Sequence, residues 1–417
     1  MVDWSKIRED FPTLKRKIDG KSVIYLDSAC MSLKPQQVID ALCYYYTNLG
    51  ACGGRSIHSL ARETTELRDE AREKVAKHIN SRNTNEIIWV RNTTEAINLI
   101  ANALHFEKGQ EIITTNLEHH SGVLPFHKIM KRKDLKLKIV EADQEGLFDI
   151  EDFEEKINKN TRLISIVHTS NTTGTTAPLE EIIKIAHDHG ALVLADDAQY
   201  FPHKKTDVQK SDVDFCAVSM HKALGPSGVG FLYGKEHLLK EMGSFLVGGD
   251  TIEDVKYING EVVPTYLEPP HKFEAGLQNY AGEIGAGAAV DYLSSIGMEN
   301  IEKREHVLTE KLQKALESIP SITTVGPKDP SKRSGLVAFR MKNIDTTGDI
   351  ANYLDSDVEK YKLMIRAGAH CTNPFHYHLG ITPSTGTARA SIYVYNNETD
   401  IQILKESLED LDKIVNG

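Results

Sequence analysis

From about Glu86 onward, short apolar, β-branched runs alternate with stretches whose apolar positions recur at helical spacing. The runs are Ile87 to Arg91, Glu111 to Thr115, Lys136 to Glu141, Leu163 to Thr169, Leu192 to Asp196 and Phe215 to Ser219. Between two of them, Leu179, Ile182, Ile183 and Ala186 share one face of a helix ended by Gly190. Further upstream, Leu67, Ala71, Val75 and Ile79 mark a helix over Ser59 to Asn80. Strands alternating with helices predict an α/β fold with a mostly parallel central sheet covered by helices. After about Gly297 the pattern changes. A helix rich in lysine and glutamate is followed by a strand at Leu336 to Met341, a helix near Asp349 to Leu354, a strand at Thr387 to Tyr395 and an amphipathic helix from Glu398 to Val415. The expected organisation is a large region over residues 21–297 and a smaller α/β region over 298–417, joined by residues 1–20.

Of the 417 residues, 40% are hydrophobic and 26% charged, enough apolar residues for a sizeable core. A formal net charge of -11 and a pI near 5.9 argue against nucleic acid or an anionic membrane as the main partner, which leaves small molecules and proteins. No apolar run approaches the roughly 20 residues of a membrane span. The opening Met1-Val2-Asp3-Trp4-Ser5-Lys6 lacks a signal-peptide core, so a cytoplasmic location is expected. The five cysteines, Cys30, Cys43, Cys52, Cys216 and Cys371, are widely spaced with no C-x-x-C pair, and neither a disulfide framework nor a zinc site is expected. Cys216 lies in an apolar run and reads as a small buried hydrophobe. Cys371 lies in a polar segment between Arg366 and Pro374, where cationic neighbours favour a thiolate.

Two strand ends carry complementary chemistry. Phe215 to Ser219 leads through Met220 and His221 to Lys222, and Leu192 to Ala195 leads to Asp196 and Asp197. A lysine at the end of an apolar strand loses hydration, which lowers its pKa and makes its amine a nucleophile; alone, Lys222 reads equally well as a solvated loop residue. An amine and an acid at neighbouring strand ends are what pyridoxal phosphate requires. The lysine takes its aldehyde, and the acid keeps its ring nitrogen protonated so that the ring acts as an electron sink.

The strand-to-helix turn Arg91-Asn92-Thr93-Thr94-Glu95 offers a phosphate seat. Asn92 and Glu95 have capping-box spacing, and free N–H groups with the hydroxyls of Thr93 and Thr94 face an anion, although the same residues also make an ordinary helix cap. Ser219 would add a donor. No G-x-G-x-x-G follows a strand and no G-x-x-x-x-G-K-[ST] is present, so nicotinamide and P-loop chemistry have little support. Gly225 to Gly230 reads as a turn into a strand at Phe231 to Tyr233. Of the adjacent His119 and His120, one can stack on a flat ring or sit in a surface loop; side chains of neighbours point apart, so a shared metal is not expected. Asn171 can bond a phenolic oxygen or form an Asx turn, and His376 and His378 read as loop structure. Arg389, in a half-buried strand, needs an anion, either a substrate carboxylate or an internal acid, and Arg366 poses the same choice.

Taken in order, Tyr25-Leu26-Asp27-Ser28-Ala29, Arg55-Ser56-Ile57-His58, Thr93-Thr94-Glu95, Glu118-His119-His120, Ser170-Asn171, Asp196-Asp197-Ala198-Gln199, His221-Lys222, Phe273-Glu274-Ala275-Gly276, Arg366-Ala367-Gly368-Ala369-His370-Cys371 and Arg389-Ala390-Ser391 give the chain a specific likeness. It resembles, end to end, the group II cysteine desulfurases of the SufS and CsdA type, class V members of the fold-type I pyridoxal phosphate enzymes. The resemblance implies Lys222 on the cofactor aldehyde, Asp196 at the pyridine nitrogen, Gln199 and Asn171 at the ring oxygen and substrate, and His119 stacked on the ring. It also implies Thr93, Thr94, Ser219 and His221 at the phosphate, Arg389, Arg366 and His58 at the substrate, and Cys371 as sulfur acceptor.

The implied activity converts L-cysteine to alanine, with Lys222 moving the α-proton. The sulfur is left as a persulfide on Cys371 for an acceptor or scaffold protein, iron–sulfur cluster assembly being one use. A homodimer is implied as well. A selenocysteine lyase, a cysteine/cystine C–S lyase and a non-catalytic scaffold are the rival readings; intact Lys222, Asp196 and Arg389 argue against the last. Four positions depart from the family's usual residues: Ala369 stands for a histidine, Met220 and Asp197 for glycines, and Leu277 for a threonine that often reaches the neighbouring subunit's phosphate.

Overall fold

The computed structural model describes residues 2–417. A first strand, β1 (Lys21–Tyr25), precedes the central sheet of β2 (Ile87–Val90), β3 (Glu111–Thr115), β4 (Lys136–Val140), β5 (Thr161–Val167), β6 (Leu192–Asp196), β7 (Phe215–Ser219) and β8 (Gly230–Gly234). Their order is β2-β8-β7-β6-β5-β3-β4. Only β8 runs antiparallel to its neighbours; the other pairings are parallel.

Several of these strands are buried throughout, as a sheet between two helical layers must be. Alternate side chains feed two cores. On one face Ile87, Trp89, Ile164 and Val193 pack with α1 (Ser59–His78), α4 (Leu179–Asp188) and α5 (Tyr280–Ile296). On the other, Ile88, Ile112, Leu163 and Leu194 pack with α2 (Thr93–Ala103) and α3 (His120–Lys133).

Beyond the sheet, β9 (Ile252–Ile258) and β10 (Glu261–Tyr266) form an exposed hairpin that the alternation of apolar runs did not reveal. Its turn is Asn259-Gly260, both with positive φ (51° and 86°). That pair is the signature of a type I′ hairpin and was the available signal.

After α6 (Met298–Glu317), a second, antiparallel sheet contains β11 (Ile322–Val325), β12 (Leu336–Met341), β14 (Arg366–Gly368) and β15 (Thr387–Ser391), in the order β11-β12-β15-β14. Leu308, Leu312, Val337, Phe339, Ala388, Leu404 and Leu408 build its core with α6 and α8 (Glu398–Asn416). The strand β13 (Tyr361–Met364) pairs in parallel with β1, and Ile24 and Leu26 enter this C-terminal core. Residues just past the expected boundary at position 21 therefore pack with the C-terminal region. The first residues bridge both regions: Phe11 is buried in the large core, and Arg8 pairs with Asp400 at 2.8 Å.

Two local expectations need correction. The strand expected to reach Tyr395 ends at Ser391, because Ile392 N–H bonds the Gly335 carbonyl and Tyr393 N–H bonds Asn396 Oδ1, turning the chain and burying Tyr393 and Tyr395. His376 and His378 lie on a short helix, α7 (Asn373–His378), and not in a loop; His376 is buried with its ring between Thr372 and Thr387.

Candidate active site

Ligands of open parallel sheets bind beyond the carboxyl ends of the strands. Here those ends deliver Asn92 to Thr94 after β2, His119 after β3, Asn171 after β5, Asp196 at the end of β6, and Ser219 to Lys222 after β7. The C-terminal sheet closes the opposite side with Arg366 on β14, Arg389 on β15 and the loop to Cys371. The result is a cleft of about 260 Å³. It gathers Thr93, Thr94, His119, Asn171, Asp196, Gln199, Ser219, His221 and Lys222 from the large region, and Arg366, Cys371 and Arg389 from the C-terminal one. His58 is the exception. It caps α1, its Nδ1 accepting the Ala61 N–H at 3.3 Å, and does not line the cleft of its own chain.

Lys222 is half-buried, and desolvation lowers its pKa, with Asp196 opposing and Arg389 reinforcing the shift. Asp196 is pushed up to about 6, mainly by burial; the Ala198 N–H at 3.0 Å and Lys222 pull it back, and Asp197 adds to the rise. A carboxyl so poised suits a cationic ring N–H better than bulk water does. Asp197 itself turns away. Its Oδ1 accepts from His168 Nδ1–H at 2.7 Å, and the His168 ring stacks on Tyr200 at 3.5 Å.

At the start of α2, Asn92 Oδ1 accepts the Glu95 N–H at 3.0 Å, while the Glu95 carboxylate accepts from Arg91 N–H at 2.6 Å. The expected capping box is therefore shifted by one residue, since Glu95 serves the residue before the cap. Thr93 N–H donates to Ser219 Oγ, whose hydroxyl donates to Thr93 Oγ1, each at 2.8 Å. Thr94 Oγ1 lies 2.7 Å from Ser121 Oγ, a hydroxyl the sequence reading missed. Gly230 is required beside this seat, because a Cβ there would collide with the Val218 carbonyl and the Asn92 backbone. His119 and His221 are both held at about 4, chiefly by burial and then by Lys222, so both are neutral near pH 7 and serve as hydrogen-bonding or stacking rings.

Arg366 and Arg389 are directly opposite in the β14–β15 pairing, which puts both side chains on one face. Like charges facing each other repel, so the pair needs an anion. Asp27, absent from the residues expected at the site, supplies one at 3.2 Å from the Arg389 guanidinium; the other arm of Arg389 donates to the Asn171 carbonyl at 2.7 Å. One carboxylate faces two guanidiniums. Asn171 Oδ1, Gln199 Oε1 and Arg389 Nε are buried with no partner among the described residues. Buried polar atoms are rarely left so, and their orientation around the cleft points to a ligand.

Cys371 is exposed, and it and His370 both adopt left-handed φ (59° and 49°). Two successive non-glycine residues there are strained. Asn171 Nδ2 donates to the His370 carbonyl and His120 N–H to the Cys371 carbonyl, both at 2.8 Å, holding the loop over the cleft. The donor set fits pyridoxal phosphate: a desolvated amine, a buried acid for the ring nitrogen, and hydroxyls with a helix N-terminus for the phosphate.

The model of the class-V aminotransferase family matches residues 24–404. The chain belongs to the class-V aminotransferase family. This class-V chain is 41% identical to a Synechocystis protein described as a probable cysteine desulfurase, over 97% of this chain and 94% of the relative. A solved apo cysteine desulfurase from Thermococcus onnurineus superposes with a TM-score of 0.91 at 36% identity, covering 99% of both chains. The cysteine desulfurase CsdA from Escherichia coli does so at 0.89 and 32% identity over the whole of both.

Proposed function

We propose that the protein is a pyridoxal phosphate-dependent cysteine desulfurase that converts L-cysteine to alanine and carries the sulfur as a persulfide on Cys371. The observation that carries this reading is that Cys371 lines the same cleft as the desolvated Lys222. Full-length relatives described as cysteine desulfurases support it. When bound, the cofactor supplies the electron sink that makes the substrate Cα–H acidic.

The remaining work falls to the chain. Arg389 and Arg366 hold the substrate carboxylate; Asp196 holds the proton on the ring nitrogen; Thr93, Thr94, Ser219 and His221 hold the phosphate; His119, Asn171 and Gln199 position ring and substrate. Lys222 Nζ moves the α-proton. The Cys371 thiolate attacks the substrate sulfur, forming S–S as C–S breaks, and the carbon product leaves as alanine after protonation. The exposed loop of Cys371 then offers the persulfide to an acceptor protein, with iron–sulfur cluster assembly as one destination.

The reading extends to a cytoplasmic homodimer. Tyr46, Ile57 and Leu277 are 70%, 87% and 71% exposed, apolar side chains that a partner subunit would cover. His58, next to Ile57 and outside its own cleft, would meet substrate only across such a contact. Among the described residues no helix is long and apolar enough to cross a membrane.

The test is incubation of cofactor-loaded protein with L-cysteine, followed by quantification of alanine, pyruvate and enzyme-bound persulfide for wild type and Cys371→Ser. Alanine with persulfide, both lost in the variant, is expected. Pyruvate formation indifferent to Cys371 would overturn the reading in favour of a C–S lyase.

A further inference from the structure

The chemistry above uses one thiol, yet the cleft holds two. Cys30 lines the same cavity as Cys371, on the turn that follows β1. That turn is fixed at several points. Cys30 N–H bonds the Asp27 carbonyl at 3.1 Å, Ala29 N–H bonds Ser391 Oγ at 2.9 Å, and the buried Gln199 amide donates to the Ala29 carbonyl at 2.6 Å. Cys371 sits on the loop held over the cleft, with left-handed φ at His370 and Cys371, and of the two thiols it is the more exposed.

Both thiols line one cavity of about 260 Å³. Gln199 Oε1, Asn171 Oδ1 and Arg389 Nε, unpartnered on residues at most 5% exposed, mark the space beside them as reactant space and not packing.

We propose that Cys30 is a resolving thiol that takes apart the persulfide formed on Cys371. The proposal rests on the desulfurase reading. The Cys30 thiolate attacks Cys371 Sγ, an S–S bond forms between the two cysteines, and the bond to the outer sulfur breaks with its electron pair. The outer sulfur leaves as hydrosulfide and takes up the Cys30 proton as hydrogen sulfide. Two cysteine sulfurs are oxidised as the sulfane sulfur is reduced, so the persulfide itself is the oxidant.

The Cys371 loop must bring its Cα to about 4.4–6.8 Å from that of Cys30 for this bond. A small or protein thiol then reduces the disulfide and reopens the site. The protein is thereby able to discharge sulfide when no acceptor removes the persulfide, and each discharge leaves it closed until a thiol arrives.

The experiment is a reductant-free turnover of the cofactor-loaded protein with one equivalent of L-cysteine. Alanine and sulfide are quantified, free thiols are alkylated, and unreduced peptides are mapped by mass spectrometry. Expected are sulfide equal to alanine and a Cys30–Cys371 cross-linked peptide. In Cys30→Ser the sulfide per alanine should fall at least tenfold, with persulfide retained on Cys371. Alanine formation with Cys30 recovered as an alkylated free thiol, or a cross-link to Cys43 or Cys52 instead, overturns the proposal and spares the desulfurase reading. Absence of alanine overturns both.

Discussion

The network that ties α1 to α5 and the cleft beneath Cys371 are both buried and rich in charge, but their charges are matched differently. In the network Glu274 accepts from Arg72 at 2.7 Å and from the Trp89 N–H at 2.8 Å, Arg68 joins Glu274 to Glu283, and two arginines meet two glutamates. The paired guanidiniums hold the Glu274 carboxyl well below the usual carboxylate range. In the cleft, Lys222, Arg366 and Arg389 face only Asp27 and Asp196, and four buried polar atoms, on Asn171, Gln199, His370 and Arg389, have no partner among the described residues. A charge cluster that closes on itself holds the fold; one that leaves cations and polar atoms unmatched is shaped for something that arrives. The Phe273-Glu274-Ala275-Gly276 motif belongs to the first kind in this chain.

Changes in the two regions should therefore separate activity from stability. The largest effect is expected at Lys222. Lys222→Ala should lower alanine formation at least about 10⁴-fold, or ~5.5 kcal/mol, while the thermal midpoint of the cofactor-free protein holds or rises because a desolvated amine is gone. A fall in the midpoint would place Lys222 with the structural cluster.

Glu274→Ala should do the reverse. Leaving Arg72 without its carboxylate beside an apolar core, and Arg68 with Glu283 alone, costs about 3–5 kcal/mol of unfolding free energy, measured by urea titration. A variant as stable as the wild type would show that water, and not Glu274, satisfies the arginines.

Asp196 gives a pH test with a definite sign. Its pKa rises from 3.8 unfolded to about 6 folded. The native state therefore binds more protons between those values, and this group's contribution to stability declines as pH rises through them. Two units at ~1.4 kcal/mol each make about 3 kcal/mol. In cofactor-free protein, Asp196→Asn should flatten the stability change between about pH 4 and pH 7 by that amount; an unaltered slope would mean that the carboxyl is hydrated after all. The smallest effect is expected at Arg389. Arg389→Lys keeps the charge and loses the planar fork, so KM for L-cysteine should rise about 10–100-fold with little change in kcat. A fall in kcat alone would assign Arg389 to something other than carboxylate binding.

Much of the large region was legible because its signals are local. Lys222 and Asp196 each follow an apolar run, and in a parallel sheet the ends of such runs point to one side. Asn92 and the hydroxyls of Thr93 and Thr94 announce their helix by themselves. The hairpin was equally legible through Asn259-Gly260 but went unread because its strands are polar and exposed. Asp27, Ser121 and Cys30 were not legible as site residues. Asp27 lies 362 residues from Arg389 along the chain, and the parallel bridge between Asp27 and Ser391, just past the end of β1, brings the two together. His58 shows the converse, a residue that the resemblance placed at the substrate yet that stands away from its own cleft.

The sequence by itself determined the order of strands and helices and which chemistry stands at each strand end, because hydrophobic period and capping residues act over a few positions. Only the tertiary structure decided that Arg366 and Arg389 share a face, that a C-terminal loop roofs Lys222, and that two thiols border one cavity. Strand register across long separations is set by the burial of whole faces, and no short stretch of chain contains that information.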